Sequence, residues 1–410
     1  MQGICAVNLK MVENRGKYMK FSDIIKKMPF FVLLGVLGGV LGTLFHISLE
    51  YVTAVRESNS YIILFLPFGG LVIVGIYKLC RLYGNIDIKR VFDSVKGRCD
   101  VPAVMIPLIF AGTIITHFFG GSAGREGAAL QLGGSLGYNA AKILKQNDDS
   151  KRIFVSAGMS AVFAALFGTP FTAAVFSLEV TGTLFNLSGI YAGILSSLSA
   201  FLTAYFLGVQ PVRFEIGTNL SYNTDVFFKV AVFAILCACI CVVFALSLNF
   251  MKKFMKKIIK NSYMRVFAGG ALVVLLTVVL DTTDYNGAGM DIITSAMNGK
   301  AYGLAFLLKI IFTAITMSAG FKGGEIVPTF FIGATFGCFA GTVLGIDAGI
   351  CAALGLVALF SGMTKCPVAA FLLALEVFSG KLLVFFVIAE LISYKFSGKF
   401  GLYDNSKKVF

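Results

Sequence analysis

The sequence predicts an all-α integral membrane protein built from two inverted repeats of tilted and broken helices, and three observations lead there. The first is composition: of 410 residues, 57% are hydrophobic and only 14% charged, where a soluble domain carries about 25% charged residues. The mean hydropathy is +0.86. The second is the recurrence of apolar stretches near the length that spans a bilayer, about 17–25 residues. They fall near 29–54, 60–80, 101–119, 153–166, 170–207, 226–250, 264–280, 303–319, 326–361 and 366–393. The third is an internal duplication. TPFTAAVFSLEV (169–180) aligns without gaps to CPVAAFLLALEV (366–377) at an offset of 197, and AGREGA (123–128) meets GGEIVP (323–328) at an offset of 200.

In these alignments Pro170 falls on Pro367, Ala173 on Ala370 and Leu178-Glu179-Val180 on Leu375-Glu376-Val377, while Gly133 and Gly137 fall on Gly333 and Gly337. Transporters are commonly built from such repeats, with the ion site where broken helices meet near the membrane midplane. Gly-rich or Pro-containing breaks sit at 120–127, 168–170, 319–328 and 361–367, inside long apolar context. Non-helical backbone at membrane depth is tolerated only where protein buries it or it lines a watery cavity. Each repeat is expected to hold about eight helical pieces, several of them half-spans. The chain divides into an N-terminal segment 1–27, a first repeat 28–207, a linker 208–225, a second repeat 226–403 and a tail 404–410.

Charge supplies orientation. The net charge is +14, and the Lys and Arg residues concentrate at 10–27, at MKKFMKKIIKNSYMR (251–265) and at Lys395, Lys399, Lys407 and Lys408. Basic flanks of this kind lie on the cytoplasmic side, so both termini are expected there, and the acidic DTTDYNGAGMD (281–291) outside. Basic membrane flanks are the ordinary source of such a charge, so no nucleic-acid partner is expected, only membrane lipid. No cleavable signal is expected either: the first 28 residues are basic and polar and lead into a span too long for a signal core. Met1 and Met19 both remain possible starts.

One stretch carries the functional argument. GGSAGREGAALQLGG (120–134) sets Arg125 and Glu126 side by side in apolar surroundings, where a charge at the bilayer centre costs about 2.5–3.5 kcal/mol on insertion scales. Helices starting near Glu126 and Ile326 would aim free N–H groups and positive dipole ends at one point. That is an anion site without a full positive charge. An ion pair between Arg125 and Glu126 is disfavoured here, because adjacent residues on a helix do not face each other.

GSAGREG (121–127) resembles the Gly-Arg-Glu-Gly-Pro motif of the CLC family of anion channels and anion/proton antiporters, and GGEIVP (323–328) resembles their second Gly-rich motif. GTPFTAAVFSLEV (168–180) is similar to their segment with a Pro and a terminal Glu, and SGKFGLY (397–403) to the closing stretch with their central tyrosine. The likeness runs in order from about residue 28 to 403. It implies a homodimer with one pore per subunit, with apolar small-residue faces around 170–200 and 367–392 as the dimer surface. It implies that Glu126 gates, filling the external anion position when ionised and swinging away when protonated. Arg125 would be structural, bonding backbone carbonyls, alongside Gly124, Gly324 and Pro328. Anion contacts would come from Gly127, Ile326, Val327 and Tyr403.

Departures refine this. The family's Ser-Gly-Ile-Pro motif is absent; GNIDIKRVF (84–92) stands in its place, so Asn85 or a backbone amide substitutes for the capping serine. Ala128 replaces the motif Pro, and Val180 stands where many proton-coupled members have a second, inner glutamate. Glu325 is extra, immediately before the helix that should cradle the anion. These features resemble the fluoride/proton exchanging branch, although that branch often has Thr at the position of Val327. Fluoride is small and strongly hydrated, and a neutral Glu325 could give it a short, charge-assisted hydrogen bond. The simpler role for Glu325 is to cap its own helix.

The function expected is therefore fluoride/proton antiport exporting fluoride. A chloride/proton antiporter or a chloride channel of the same family is the alternative. No enzyme, cofactor or metal is expected. GGSAG (120–124), with His117 upstream, formally matches a serine-hydrolase elbow, but His46 is the one other histidine and no Asp partner is evident. The nine cysteines lie almost all in apolar spans, and Cys237, Cys239 and Cys241 do not share one helix face. No regulatory domain is expected after Tyr403.

Overall fold

The computed structural model describes residues 21–403 apart from 83, 85, 86, 218 and 219, with only the backbone for 21–25. Asn85 therefore lies outside the described residues. Within them are sixteen α-helices, eight per repeat. The first repeat holds α1 (Phe21–Ser58), α2 (Leu66–Leu79), α3 (Ile88–Val95), α4 (Met105–Phe118), α5 (Glu126–Ile143), α6 (Asp148–Phe167), α7 (Pro170–Thr181) and α8 (Leu187–Phe206). The second holds α9 (Thr224–Ile258), α10 (Ser262–Leu280), α11 (Met290–Met297), α12 (Ala305–Ala319), α13 (Ile326–Leu344), α14 (Ala348–Thr364), α15 (Pro367–Val377) and α16 (Leu383–Phe396). Among the described residues seven helical stretches are long and apolar enough to cross a membrane, and four shorter apolar helices lie between them or after them.

Local chemistry sets the boundaries. The side chains of Asn147, Asn186, Asn223 and Asp347 accept from the first-turn N–H groups of α6, α8, α9 and α14, the ordinary N-cap bond. Pro170 and Pro367 open α7 and α15, where the missing N–H is no loss. Three apolar stretches each turn out to be two helices. The run 170–207 breaks after Gly182, whose φ of 73° is left-handed, and 326–361 breaks after Gly345, with a φ of 67°. The run 366–393 breaks at 378–382 between α15 and α16. Hydropathy did not mark these breaks because apolar residues flank them closely.

Where α5 crosses α6, a Cβ on Gly133 would run into the carbonyl of Gly158; where α13 crosses α14, one on Gly333 would meet that of Gly355. The two crossings are the same contact made twice. Reciprocity extends further. Glu179 Oε1 and Oε2 accept from the N–H groups of Val368 and Ala369 at 3.1 and 2.8 Å. Glu376 Oε1 and Oε2 accept from Phe171 and Thr172 at 3.1 and 2.7 Å, and the Thr172 hydroxyl adds a bond of 2.6 Å to Oε2. Each repeat thus caps the other's α7 or α15. Contacts in which i meets j and j meets i are the signature of a two-fold axis, here relating inverted halves.

Glu376→Ala strips three bonds from a helix start and should lower stability by about 2–3 kcal/mol, read as a lower melting temperature of the detergent-solubilised protein. Melting equal to wild type would show that the cap carries no weight.

Candidate functional site

The two Gly-rich loops meet backbone to backbone. Gly124 N–H donates to Gly324 O at 2.7 Å and Gly324 N–H returns to Gly124 O at 2.8 Å, an isolated antiparallel bridge. Two more bonds obey the same symmetry: Ser122 N–H to Thr316 Oγ1 at 3.2 Å and Lys322 N–H to Thr116 Oγ1 at 3.1 Å. Gly127 and Gly324 are packed so closely that a Cβ on either would strike the other's backbone. This bridge brings the starts of α5 and α13 to one place.

Glu126, fully buried, lies there. Its Oε2 accepts from Arg125 N–H at 3.0 Å, and the first turn of α13 lies alongside. A Cβ on Gly124 would sit 2.7 Å from Oε2, 2.9 Å from Val327 Cβ and 3.1 Å from Pro328 Cδ. The carboxylate therefore rests between two helix starts, where an anion is stabilised by free N–H groups and dipole ends. Oε1 makes no hydrogen bond, so the cradle is not saturated.

Arg125 corrects two expectations. It is the residue before α5, with φ −106° and ψ −18°, not an interior helical residue, so the rule about adjacent helical positions does not govern it. Its Nε lies 3.7 Å from Glu126 Oε1. Nor, among the described residues, does it bond backbone carbonyls: Nη1 meets His46 Nδ1 at 2.6 Å. Because the guanidinium can only donate, His46 Nδ1 accepts and Nε2 holds the ring proton, which faces Glu50 Oε1 at 3.0 Å. A chain of Glu50, His46, Arg125 and Glu126 thus runs from the surface to the buried carboxylate. His46 and Glu50 are the functional neighbours that sequence reasoning missed; their i, i+4 spacing on α1 was the available signal.

Glu325 occupies the position equivalent to Arg125 in the other repeat. It is the residue before α13 but makes no side-chain cap bond, so self-capping is not its role. Lys252 is the charged side chain that acts on it. Tyr403 is 8% exposed with its hydroxyl unpartnered, and the charges of both Glu126 and Glu325 reach it. Its ring meets Phe92 of α3 edge-on, centroids 5.2 Å apart. Leu402 N–H, bonded to Met363 O at 2.8 Å, pins this turn to α14. Glu126, Val327 and Pro328 are thus brought together beside the bridge. The hydrolase alternative fails: Ser122 Oγ pairs with Thr313 Oγ1 at 3.0 Å, and His117 Nδ1 is bound to Thr113 O at 3.0 Å.

The comparisons with known proteins follow from the same motifs. The voltage gated chloride channel family matches residues 69–398. The chain belongs to that family. It is 31% identical to a chloride/fluoride channel protein of Pseudomonas syringae pv. tomato, over 93% of this chain and 86% of that one. It is 26% identical to an H(+)/Cl(−) exchange transporter of Vibrio cholerae, over 85% and 82%. A crystal structure of a CLC-type fluoride/proton antiporter superimposes with a TM-score of 0.89 at 30% identity, covering 94% of this chain and 98% of that one. A slow cyanobacterial Cl−/H+ antiporter shares the CLC fold, with a TM-score of 0.78 at 17% identity, covering 90% and 93%. The protein is thus a multi-pass membrane protein of the CLC family.

His46→Ala leaves the half-buried Arg125 without its imidazole acceptor and should lower stability by about 1–3 kcal/mol. His46→Gln, whose amide oxygen can accept, should recover most of that loss. Equal melting temperatures for the two variants would mean that the bond to Arg125 contributes nothing.

Proposed function

We propose that this CLC protein exports fluoride in exchange for protons. The observation that carries the proposal is the Glu126 carboxylate lying between the starts of α5 and α13, with Oε2 on the Arg125 N–H, in the place an anion would take. A carboxylate and a halide compete for the same dipoles. When Glu126 takes up a proton it loses its claim on those N–H groups, leaves, and fluoride enters. When the proton departs, the carboxylate returns and expels the halide. One side chain then couples the two fluxes. The relatives named as fluoride and chloride transporters support this reading.

The remaining roles follow. Gly127, Ile326 and Val327 offer backbone N–H groups, Tyr403 a hydroxyl, and Asn85 or a neighbouring amide the contact left open by the missing serine. Arg125, Gly124, Gly324 and Pro328 hold the cradle's shape. Glu325, left free of a capping bond, donates a short hydrogen bond to fluoride in its neutral form and accepts or passes on a proton. Chloride, larger and a poorer acceptor, gains less from that donor. We adopt the division into repeats at 28–207 and 226–403 with cytoplasmic termini, and a homodimer. Much of 170–180 and 367–377 is turned inward, so the dimer face falls to exposed residues such as Phe171, Tyr191, Val384 and Leu391. Val180 favours one alternative, a chloride transporter or channel of the same fold with weak coupling.

The test is efflux of fluoride and of chloride from proteoliposomes with a simultaneous pH record. Wild type should move fluoride far faster than chloride; comparable rates would promote the chloride alternative. Glu126→Gln should cut proton movement by roughly a hundredfold, and unchanged coupled exchange would remove Glu126 from its role. Glu325→Ala should erode selectivity, while Glu325→Gln keeps a donor and loses turnover.

Tyr403→Phe should weaken anion binding by about 1 kcal/mol, roughly fivefold. Tyr394→Phe should not, and the reverse pattern would show that the C-terminal register is misplaced.

A further inference from the structure

The last turns of α9 carry a charge that nothing in the chain answers. Lys252, Lys253, Lys256, Lys257 and Lys260 fall within nine residues, and all five are exposed. No Asp or Glu occurs between Asp225 and Asp281, and among the described residues none of the five lysines forms an ion pair. Other basic side chains are answered: Lys151 by Asp148, Arg152 by Asp149 and Lys229 by Asp225. The negative end of the helix dipole accounts for Lys256 and Lys257 in the last turn, but Lys252 and Lys253 stand a turn earlier. They add like charges at i, i+4 to Lys256 and Lys257, an arrangement that destabilises a helix unless an anion lies against it.

Beside the lysines runs an apolar row. Phe250, Phe254 and Ile258, at i, i+4 and i+8, are exposed and continue the exposed Val243 and Leu246. Lys253 and Lys257 stand three residues on from Phe250 and Phe254, hence on the same face. The helix cannot turn that face inward. Met255 is buried, with Cε packed at Gly269 of α10, and Arg265 Nη1 donates to Ile259 O at 3.2 Å. Length sets the depth. With 35 residues, α9 is about 52 Å long, and even tilted by about 40° it would run roughly 10 Å past a hydrocarbon core of about 30 Å. Its apolar part, 226–250, fills the core, so the excess is the lysine-bearing end, at the level of the headgroups. We propose that this end of α9 is a binding site for anionic phospholipid. An acyl chain lies along Val243, Leu246, Phe250 and Phe254, and the lysine ammoniums close on the phosphate. A free anion or a nucleic acid would use the lysines and leave the apolar row without a role. The inference stands whichever halide the protein carries.

The test titrates the full chain in detergent with phosphatidylglycerol and with phosphatidylcholine, counting bound lipid by native mass spectrometry. Wild type should hold phosphatidylglycerol at least about fivefold more tightly. Changing all five lysines to Gln should abolish that preference, and changing all five to Arg should keep it. Lys395→Gln combined with Lys399→Gln, at the end of α16, should keep it too. No preference in wild type, a preference that survives the glutamine changes, or one lost in the arginine variant overturns the proposal. Equal loss in the α16 variant would reveal general attraction to a basic surface and overturn it as well. Inorganic phosphate should displace the lipid no better than chloride at equal ionic strength; selective displacement would give the lysines to a free anion instead.

Discussion

Two backbone hydrogen bonds between Gly124 and Gly324 hold the functional centre together. There the two halves touch with no side chain between them. Every neighbouring dimension follows from that approach. Glycine is required because a Cβ on Gly324 would collide with Gly127, and the approach sets the starts of α5 and α13 against one carboxylate. Were the loops a side chain further apart, the start of α13 would no longer lie beside Glu126, and the positive ends of the two helices would no longer act on one carboxylate.

The symmetry of that bridge is broken where chemistry demands it. Arg125 and Glu325 occupy equivalent places before α5 and α13, yet carry opposite charge. The Arg125 side is tied through His46 to Glu50, which fixes the guanidinium without neutralising the cradle. Among the described residues the Glu325 side has no such tether and no cap bond. The same backbone frame therefore presents a held cation on one side and an acid on the other.

How much of this was legible in the sequence depended on whether the signal was local. Gly168, Pro170 and Pro367 are local punctuation, and the helix breaks they announce are where they should be. The duplication was legible because Pro and Glu are rare in apolar segments, but the alignment of Glu179 with Glu376 read only as kinship. That each caps the opposite repeat is a long-range fact no spacing encodes. The pairing of Arg125 with Glu126 was misjudged because the rule applied to helical interiors, and Arg125 lies one residue outside. His46 carried no motif beyond its i, i+4 spacing to Glu50, a pattern too common on helices to mark a site.

The reciprocal caps bear on how such a chain arose. A half-length protein with this sequence pattern would present a bare helix start and a carboxylate with nothing to hold. It could satisfy both only against a second copy inserted upside down. Two identical halves would meet through the same four contacts, bridge and caps alike. They could never place an arginine on one side of the bridge and a glutamate on the other. Joining the halves into one polypeptide is what allowed positions 125 and 325 to differ, and with them the two sides of the bridge.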